Sequence, residues 1–159
     1  MLFRSGVTAT FFCTGKKAEK DKDIIDRLHQ LGFGVANHGY EHIKGWGKVK
    51  TDYLENAARG ASVTGSQLYR PPYGSVTPGQ FRSLKKNYRV VFWDIILYDF
   101  DPAFSTQRII RVAQKKIRPG SIIVLHDSNK SSCLSFLPEL IKLIGDKGYS
   151  FGDLSDDLK

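Results

Sequence analysis

Three of the four histidines of this sequence sit in short polar clusters with chemistry-bearing neighbours. His38 and His42 fall in Asn37-His38-Gly39-Tyr40-Glu41-His42. Imidazole nitrogens bind zinc-like ions, and two histidines four apart reach one ion if the segment turns helically. The same spacing also serves surface or capping histidines. It matches as well the H-x-x-E-H pattern of zinc peptidases, with Glu41 as base, but that pattern needs a regular helix and Gly39 weakens one. His126 follows the apolar run Ile122-Ile123-Val124-Leu125, where an imidazole can act as general acid or base. Asp99 is the carboxylate suited to orient it; the alternative is a loop carboxylate beside Asp101-Pro102. Arg70 precedes two prolines, and a guanidinium there can hold a carboxylate in a fixed orientation. Pro71-Pro72-Tyr73-Gly74 makes a stiff turn whose backbone amides can face a substrate oxygen. Asp94 and Asp127 read equally well as partners of backbone amides.

These residues need elements to place them. Short β-prone runs at 8–12, 33–37, 67–70, 88–93 and 121–125 alternate with helical patterns at 18–31, 51–66, 77 onward, 105–117 and 136–147, and 149–151 reads as a last strand. Ile24, Ile25, Leu28 and Leu31 form one apolar stripe on the first helix, and Gly32 stops it. Thr77-Pro78-Gly79-Gln80 carries a capping box with proline at the first helical position. Ser105 caps the helix of 105–117, which turns Ile109, Ile110, Val112 and Ala113 inward. Repeated β-then-α order with apolar strands implies a parallel sheet covered by helices, as an open sheet or a barrel. In such folds functional groups gather at the C-terminal ends of strands. Four polar clusters here follow strands directly, so the expectation is one shared site in one domain over 1–159.

The length of 159 residues suits one domain with a proper core. With 41% apolar and 25% charged residues the composition is globular, and no run approaches the roughly 18 apolar residues of a membrane span. The formal charge is +8, but the lysines and arginines are scattered and show no aromatic-basic interleaving, so no nucleic-acid partner is expected. The charge favours approach to an anionic cell wall without choosing it. Cys13 and Cys133 lie far apart, and Cys13, at the end of an apolar stretch, reads as a buried free thiol.

In order and wording, the clusters resemble the polysaccharide deacetylases of the NodB-like type, carbohydrate esterase family 4. Gly6-Val7-Thr8-Ala9-Thr10-Phe11-Phe12 is similar to the family's "GxxATFF" strand, and Asn37 to His42 is similar to its metal motif. The resemblance implies an incomplete parallel (β/α) barrel and metal-dependent N-deacetylation of an acetylated polysaccharide or peptidoglycan-like substrate. It implies that His38 and His42 bind a divalent ion, zinc above all. It implies that Arg70 positions the catalytic base, that the Tyr73 amide beside Pro72 helps form an oxyanion hole, and that Leu125 lines an acetyl pocket. His126 would be the catalytic acid, held by Asp99, and Phe100 stands where the family has Trp. The family's Thr-Phe-Asp-Asp-Gly motif, source of the base and of a third metal ligand, has no counterpart before Gly6. The expectation is therefore a barrel lacking its first strand, with weakened metal binding and impaired turnover. A remnant that binds glycan or metal, or that assembles with another chain, is the alternative. A missing strand leaves a sheet edge unpaired, which invites a homodimer. No secretory signal opens the sequence, although members of the family act at the cell envelope or outside.

Overall fold

In a computed structural model, residues 6–128 and 130–154 are described. The described residues form two compact units, one of residues 6–92 with 151–154 and one within residues 93–150.

The first unit is a four-stranded parallel sheet in the order β1-β2-β3-β4, with β1 Thr10–Cys13, β2 Gly34–Asn37, β3 Leu68–Tyr69 and β4 Arg89–Val90. Phe11 faces Val35 and Cys13 faces Asn37 in register, so β1 and β2 end together. Helices α1 Gly15–Lys20, α2 Lys22–Gln30, α3 Lys50–Thr64 and α4 Pro78–Leu84 connect the strands. Tyr53, Ala57, Tyr69 and Leu84, all fully buried, form the core between sheet and helices. Two of these are tyrosines whose hydroxyls need partners. Tyr69 donates to the Tyr53 hydroxyl at 3.1 Å, and Tyr53 to the Ser75 carbonyl at 3.1 Å. Burial raises both phenols, Tyr69 far above its ordinary range, so they stay neutral.

The single helix expected over 18–31 is two. Asp21 breaks it with φ −113° and ψ 47°. It closes α1 through Asp21 N to the Lys17 carbonyl and opens α2 through its own carbonyl to Ile24 N. The expected stripe is only half-buried, and Ile24 is exposed. The capping box of α4 forms both ways: Gln80 N donates to Thr77 Oγ1 and Thr77 N to Gln80 Oε1. Residues 149–151 make no strand. Farther on, Asp153 accepts from Thr10 Oγ1 at 3.2 Å, and the Leu154 carbonyl accepts from Arg89.

The second unit holds a parallel pair, β5 Ile95–Ile96 with β6 Ile123–Val124, and the helices α5 Thr106–Lys116 and α6 Cys133–Asp146. The strand expected over 88–93 stops at Val90, and β5 begins at Ile95, past its expected end. The apolar run from Val90 to Leu97 hides the division, because Asp94 is its one interior polar residue. Asp94 accepts from Ile122 N at 2.7 Å and from Ser121 Oγ at 3.1 Å, which ties the start of β5 to the approach to β6. Ile109 and Ala113 of α5 and Phe136, Leu140 and Ile144 of α6 are buried. Among the described residues no helix is long and apolar enough to cross a membrane.

Candidate functional site

His38 begins where β2 ends. Its N–H continues the sheet to the Cys13 carbonyl at 3.0 Å, and Arg70 N returns to the Asn37 carbonyl at 3.0 Å. His38 Nδ1 lies 2.6 Å from the Arg70 carbonyl oxygen. A carbonyl only accepts, so Nδ1 carries the proton and the neutral ring presents the Nε2 lone pair outward. That Nε2 lies 3.2 Å from His42 Nε2. Two imidazoles bound to one tetrahedral ion at about 2.0–2.1 Å place their nitrogens a little over 3 Å apart, so the pair fits a zinc-like ion.

The loop between the two histidines is held from below by α3. Asn56 accepts from Glu41 N through Oδ1 at 2.8 Å and donates Nδ2 to the Glu41 carbonyl at 3.0 Å, while its own carbonyl accepts from Tyr40 N at 2.8 Å. Buried Asn37 accepts from Gly39 N at 2.8 Å and donates to the Ala57 carbonyl at 2.9 Å. Gly39 takes φ 77°, which lets the chain turn over Asn56. The loop that follows rests on Gln80, whose Nε2 donates to the Gly45 carbonyl at 2.9 Å.

Arg70 leaves the end of β3 and is buried. Its guanidinium lies 4.0 Å over the Phe12 ring, and Nε donates to the Val91 carbonyl at 3.4 Å. Burial lowers its pKa to about 10. Pro72–Gly74 form a 3-10 turn in which Tyr73 takes φ 59°. The Tyr73 ring is mostly exposed and sits 4.3 Å from the His42 ring, with Lys44 Nζ 5.0 Å from its centroid.

In the second unit Asp99, three residues past β5, is fully buried. Oδ1 lies 2.9 Å from His126 Nδ1, and Oδ2 accepts from His126 N at 2.8 Å and from Ser131 Oγ at 2.6 Å. Burial alone would raise the carboxyl, but hydrogen bonds from His126 and Ser131 outweigh it and hold the pKa below 3.8. Asp99 is thus an acceptor, His126 Nδ1 carries a proton, and the ring is half-exposed. Phe100 presents an edge contact to the His126 ring at 4.8 Å, and Leu125 is half-buried.

The sequence profile of the family described as polysaccharide deacetylase matches residues 1–91. The chain belongs to the polysaccharide deacetylase family. It is 27% identical to a peptidoglycan-N-acetylglucosamine deacetylase of Bacillus cereus over 94% of this chain and 58% of that protein. It superposes on a family 4 carbohydrate esterase from Streptomyces lividans, in complex with acetate, with a TM-score of 0.85 at 26% identity, over 97% of this chain and 82% of that one. The Bc1960 peptidoglycan N-acetylglucosamine deacetylase gives a TM-score of 0.87 at 26% identity, over 96% and 76%. The fold is therefore the α/β, parallel-stranded type of the NodB-like esterases. The chain spans about three fifths of the length of the curated relatives it matches.

The structure brings the expected residues together in two groups. His38, His42, Arg70, Pro72 and Tyr73 lie in the first unit, and Asp99, Phe100, Leu125 and His126 in the second. Among the described residues no three His, Cys, Asp or Glu side chains gather as a metal site. Asn56 and Ser131, which hold the two histidine groups, carried no signal of their own. Asn56 is one polar residue inside a helix, and Ser131 lies in the polar run that follows His126.

Proposed function

We propose that this chain carries a metal-dependent N-deacetylase activity toward an N-acetylated amino sugar within a polysaccharide, of the peptidoglycan or chitin type. The observation that carries the reading is the His38–His42 pair, with Nε2 atoms 3.2 Å apart and the His38 tautomer set by the Arg70 carbonyl. Held there by two imidazoles, a divalent ion such as zinc would supply Lewis-acid polarisation of water and of the acetamide carbonyl.

The remaining roles belong to the chain. His126 Nε2 donates a proton to the departing amine as the carbon–nitrogen bond breaks, and Asp99 stabilises the charged ring that precedes this step. Tyr73 offers its backbone amide to the developing oxyanion from the turn that begins at Pro72. Arg70 is placed to orient the water-activating carboxylate of a Thr-Phe-Asp-Asp-Gly segment where one is supplied. Leu125 and Phe100 hold the acetyl group and the sugar. The products are acetate and a free amino sugar.

The alternative reading is a chain that binds metal and glycan but turns over slowly; among the described residues no third His, Cys, Asp or Glu side chain joins His38 and His42. Strand β1 is the outer member of its sheet, and pairing with another chain along it is the accompanying assembly proposal.

Acetate release from N-acetylglucosamine hexamers and from peptidoglycan decides the matter. It should be measured for this chain and for the chain preceded by a segment carrying Thr-Phe-Asp-Asp-Gly. The extended protein should be active, and His126→Ala should lower its kcat by about 10²–10⁴-fold. An extended protein that folds, holds zinc and releases no acetate from either polymer sinks the deacetylase reading.

A further inference from the structure

Trp46 is the most exposed aromatic side chain among the described residues, at 67%. An indole carries a large apolar surface, and packing alone would drive it under cover. Among the described residues no ring or cation stacks on it. It lies in the first unit, on the loop that leaves His42, and none of the roles assigned above uses it.

That exposure is built into the backbone. Lys48 N donates to the Gly45 carbonyl at 3.2 Å, which closes a turn over Gly45-Trp46-Gly47-Lys48. Gly47 takes φ 81° at the third position, where a type II turn calls for glycine, and Trp46 stands at the tip. Fully buried Gln80 holds the turn from below, donating Nε2 to the Gly45 carbonyl at 2.9 Å and to the Lys48 carbonyl at 3.4 Å. Gly45 N donates to the Ser75 carbonyl at 3.0 Å, and Trp46 N to Ser75 Oγ at 3.4 Å. A Cβ on Gly45 would lie 2.5 Å from the Ser75 carbonyl oxygen, so glycine lets the two segments close. The loop therefore runs along 73–75. The His42 ring lies 4.3 Å from the Tyr73 ring, Lys44 Nζ lies 5.0 Å from that ring, and Gly45 and Trp46 meet Ser75. Four residues of chain keep Trp46 within about 14 Å of His42, a span that a short stretch of glycan covers.

We propose that Trp46 is a stacking platform for a sugar ring of the polymer neighbouring the one held at the His38–His42 pair. The apolar C–H face of a pyranose lies flat on an indole while its hydroxyls remain in water. The platform is fixed in advance by backbone bonds, so little ordering cost opposes binding. Lys44, Lys48 and Lys50, all exposed, flank it and offer donors to hydroxyl, acetamide or carboxylate oxygens. A protein partner fits less well. The core of such an interface is a contiguous apolar patch depleted in lysine, and here one indole and Val49 stand among three lysines. A lipid surface accepts tryptophan beside lysine. The strap to Ser75, next to the Tyr73 turn, and the shared loop with His42 favour the substrate instead. The inference rests on the proposed function for the nature of the polymer and adds Trp46 as a specificity-determining residue.

Calorimetric titration of the intact chain with N-acetylglucosamine hexamer and with a soluble peptidoglycan fragment tests it. Trp46→Ala should weaken the tighter of the two ligands roughly tenfold, and Trp46→Tyr should recover most of that loss. Zinc affinity, read by competition with a chromogenic chelator, should stay the same in both variants, because backbone bonds and Gln80 hold the loop rather than the indole. Unchanged glycan affinity in Trp46→Ala overturns the platform. A parallel fall in zinc affinity overturns it as well, since Trp46 would then support the metal loop. Loss of binding to vesicles of phosphatidylglycerol and phosphatidylcholine, with none toward glycan, would assign the indole to a lipid surface. Binding of neither glycan by the unaltered chain also removes the platform. The deacetylase reading is judged apart from all of these, by acetate release from the extended protein.

Discussion

Asp99 accepts hydrogen bonds from a ring nitrogen, a backbone amide and the Ser131 hydroxyl while fully buried. Its charge is therefore tied to folding. A carboxylate whose folded pKa is depressed stabilises the native state above its unfolded pKa. That contribution is lost as pH falls through the folded value, here below 3.8. Ser131→Ala removes one donor from the charged group, which costs about 1.5–3 kcal/mol near neutral pH. It also lets the folded pKa climb, so the acid-unfolding midpoint should move to higher pH. Urea titrations at pH 7 and acid titrations followed by circular dichroism measure both effects. An unchanged acid midpoint in Ser131→Ala would remove Ser131 from the support of the dyad. The charged partner was legible before the fold was known, because Asp99 and His126 both stood after apolar runs. Ser131 was not, since only folding brings it 2.6 Å from a carboxylate 32 residues away.

At the scale of elements, α3 acts as the seat of the first histidine pair. A Cβ added at Gly60 would lie 2.4 Å from Asn37 Oδ1 and 2.5 Å from the Gly39 carbonyl carbon. Helix propensity alone favours Gly60→Ala by about 1 kcal/mol. The clash is with backbone and with a buried amide, neither of which can yield cheaply, and overpacking of this kind costs about 1–3 kcal/mol. The clash should win, so Gly60→Ala lowers Tm. It should also weaken zinc binding, because the displaced loop carries His42; competition with a chromogenic chelator reads that loss. Tm and zinc affinity both unchanged would mean that α3 does not set the loop. In the sequence Gly60 is a glycine inside a helical pattern, and local spacing gives it no role beyond weakening the helix. Local spacing exposed the capping box of Gln80, four residues from end to end, but not the bond from the same side chain to Gly45, 35 residues away. Strand ends were legible for a similar reason: an apolar run followed by polar residues is a local pattern. The gap between β4 and β5 was not, because the apolar residues run almost unbroken across it.

For the whole molecule, the two histidine groups divide between two compact units, and the family profile matches only through residue 91. The motifs of the second group were nevertheless readable, because Asp99-Phe100 and Leu125-His126 keep their order and their places after β5 and β6. What belongs to no motif is the charge of the chain, which carries 24 lysines and arginines against 16 aspartates and glutamates. A net +8 spread over the surface attracts any polyanion, and the attraction is screened within about 8–10 Å at physiological ionic strength. If the polymer is an anionic cell-wall glycan, binding should weaken as salt rises, whereas a neutral N-acetylglucosamine hexamer should be indifferent. Co-sedimentation with purified peptidoglycan, compared with hexamer titration over the same salt series, separates the two. Raising NaCl from 50 to 500 mM should release the chain from the anionic wall several-fold and leave the hexamer constant unmoved. Salt-independent retention on the wall would assign the affinity to stacking and hydrogen bonds, and the positive charge would then act on solubility alone.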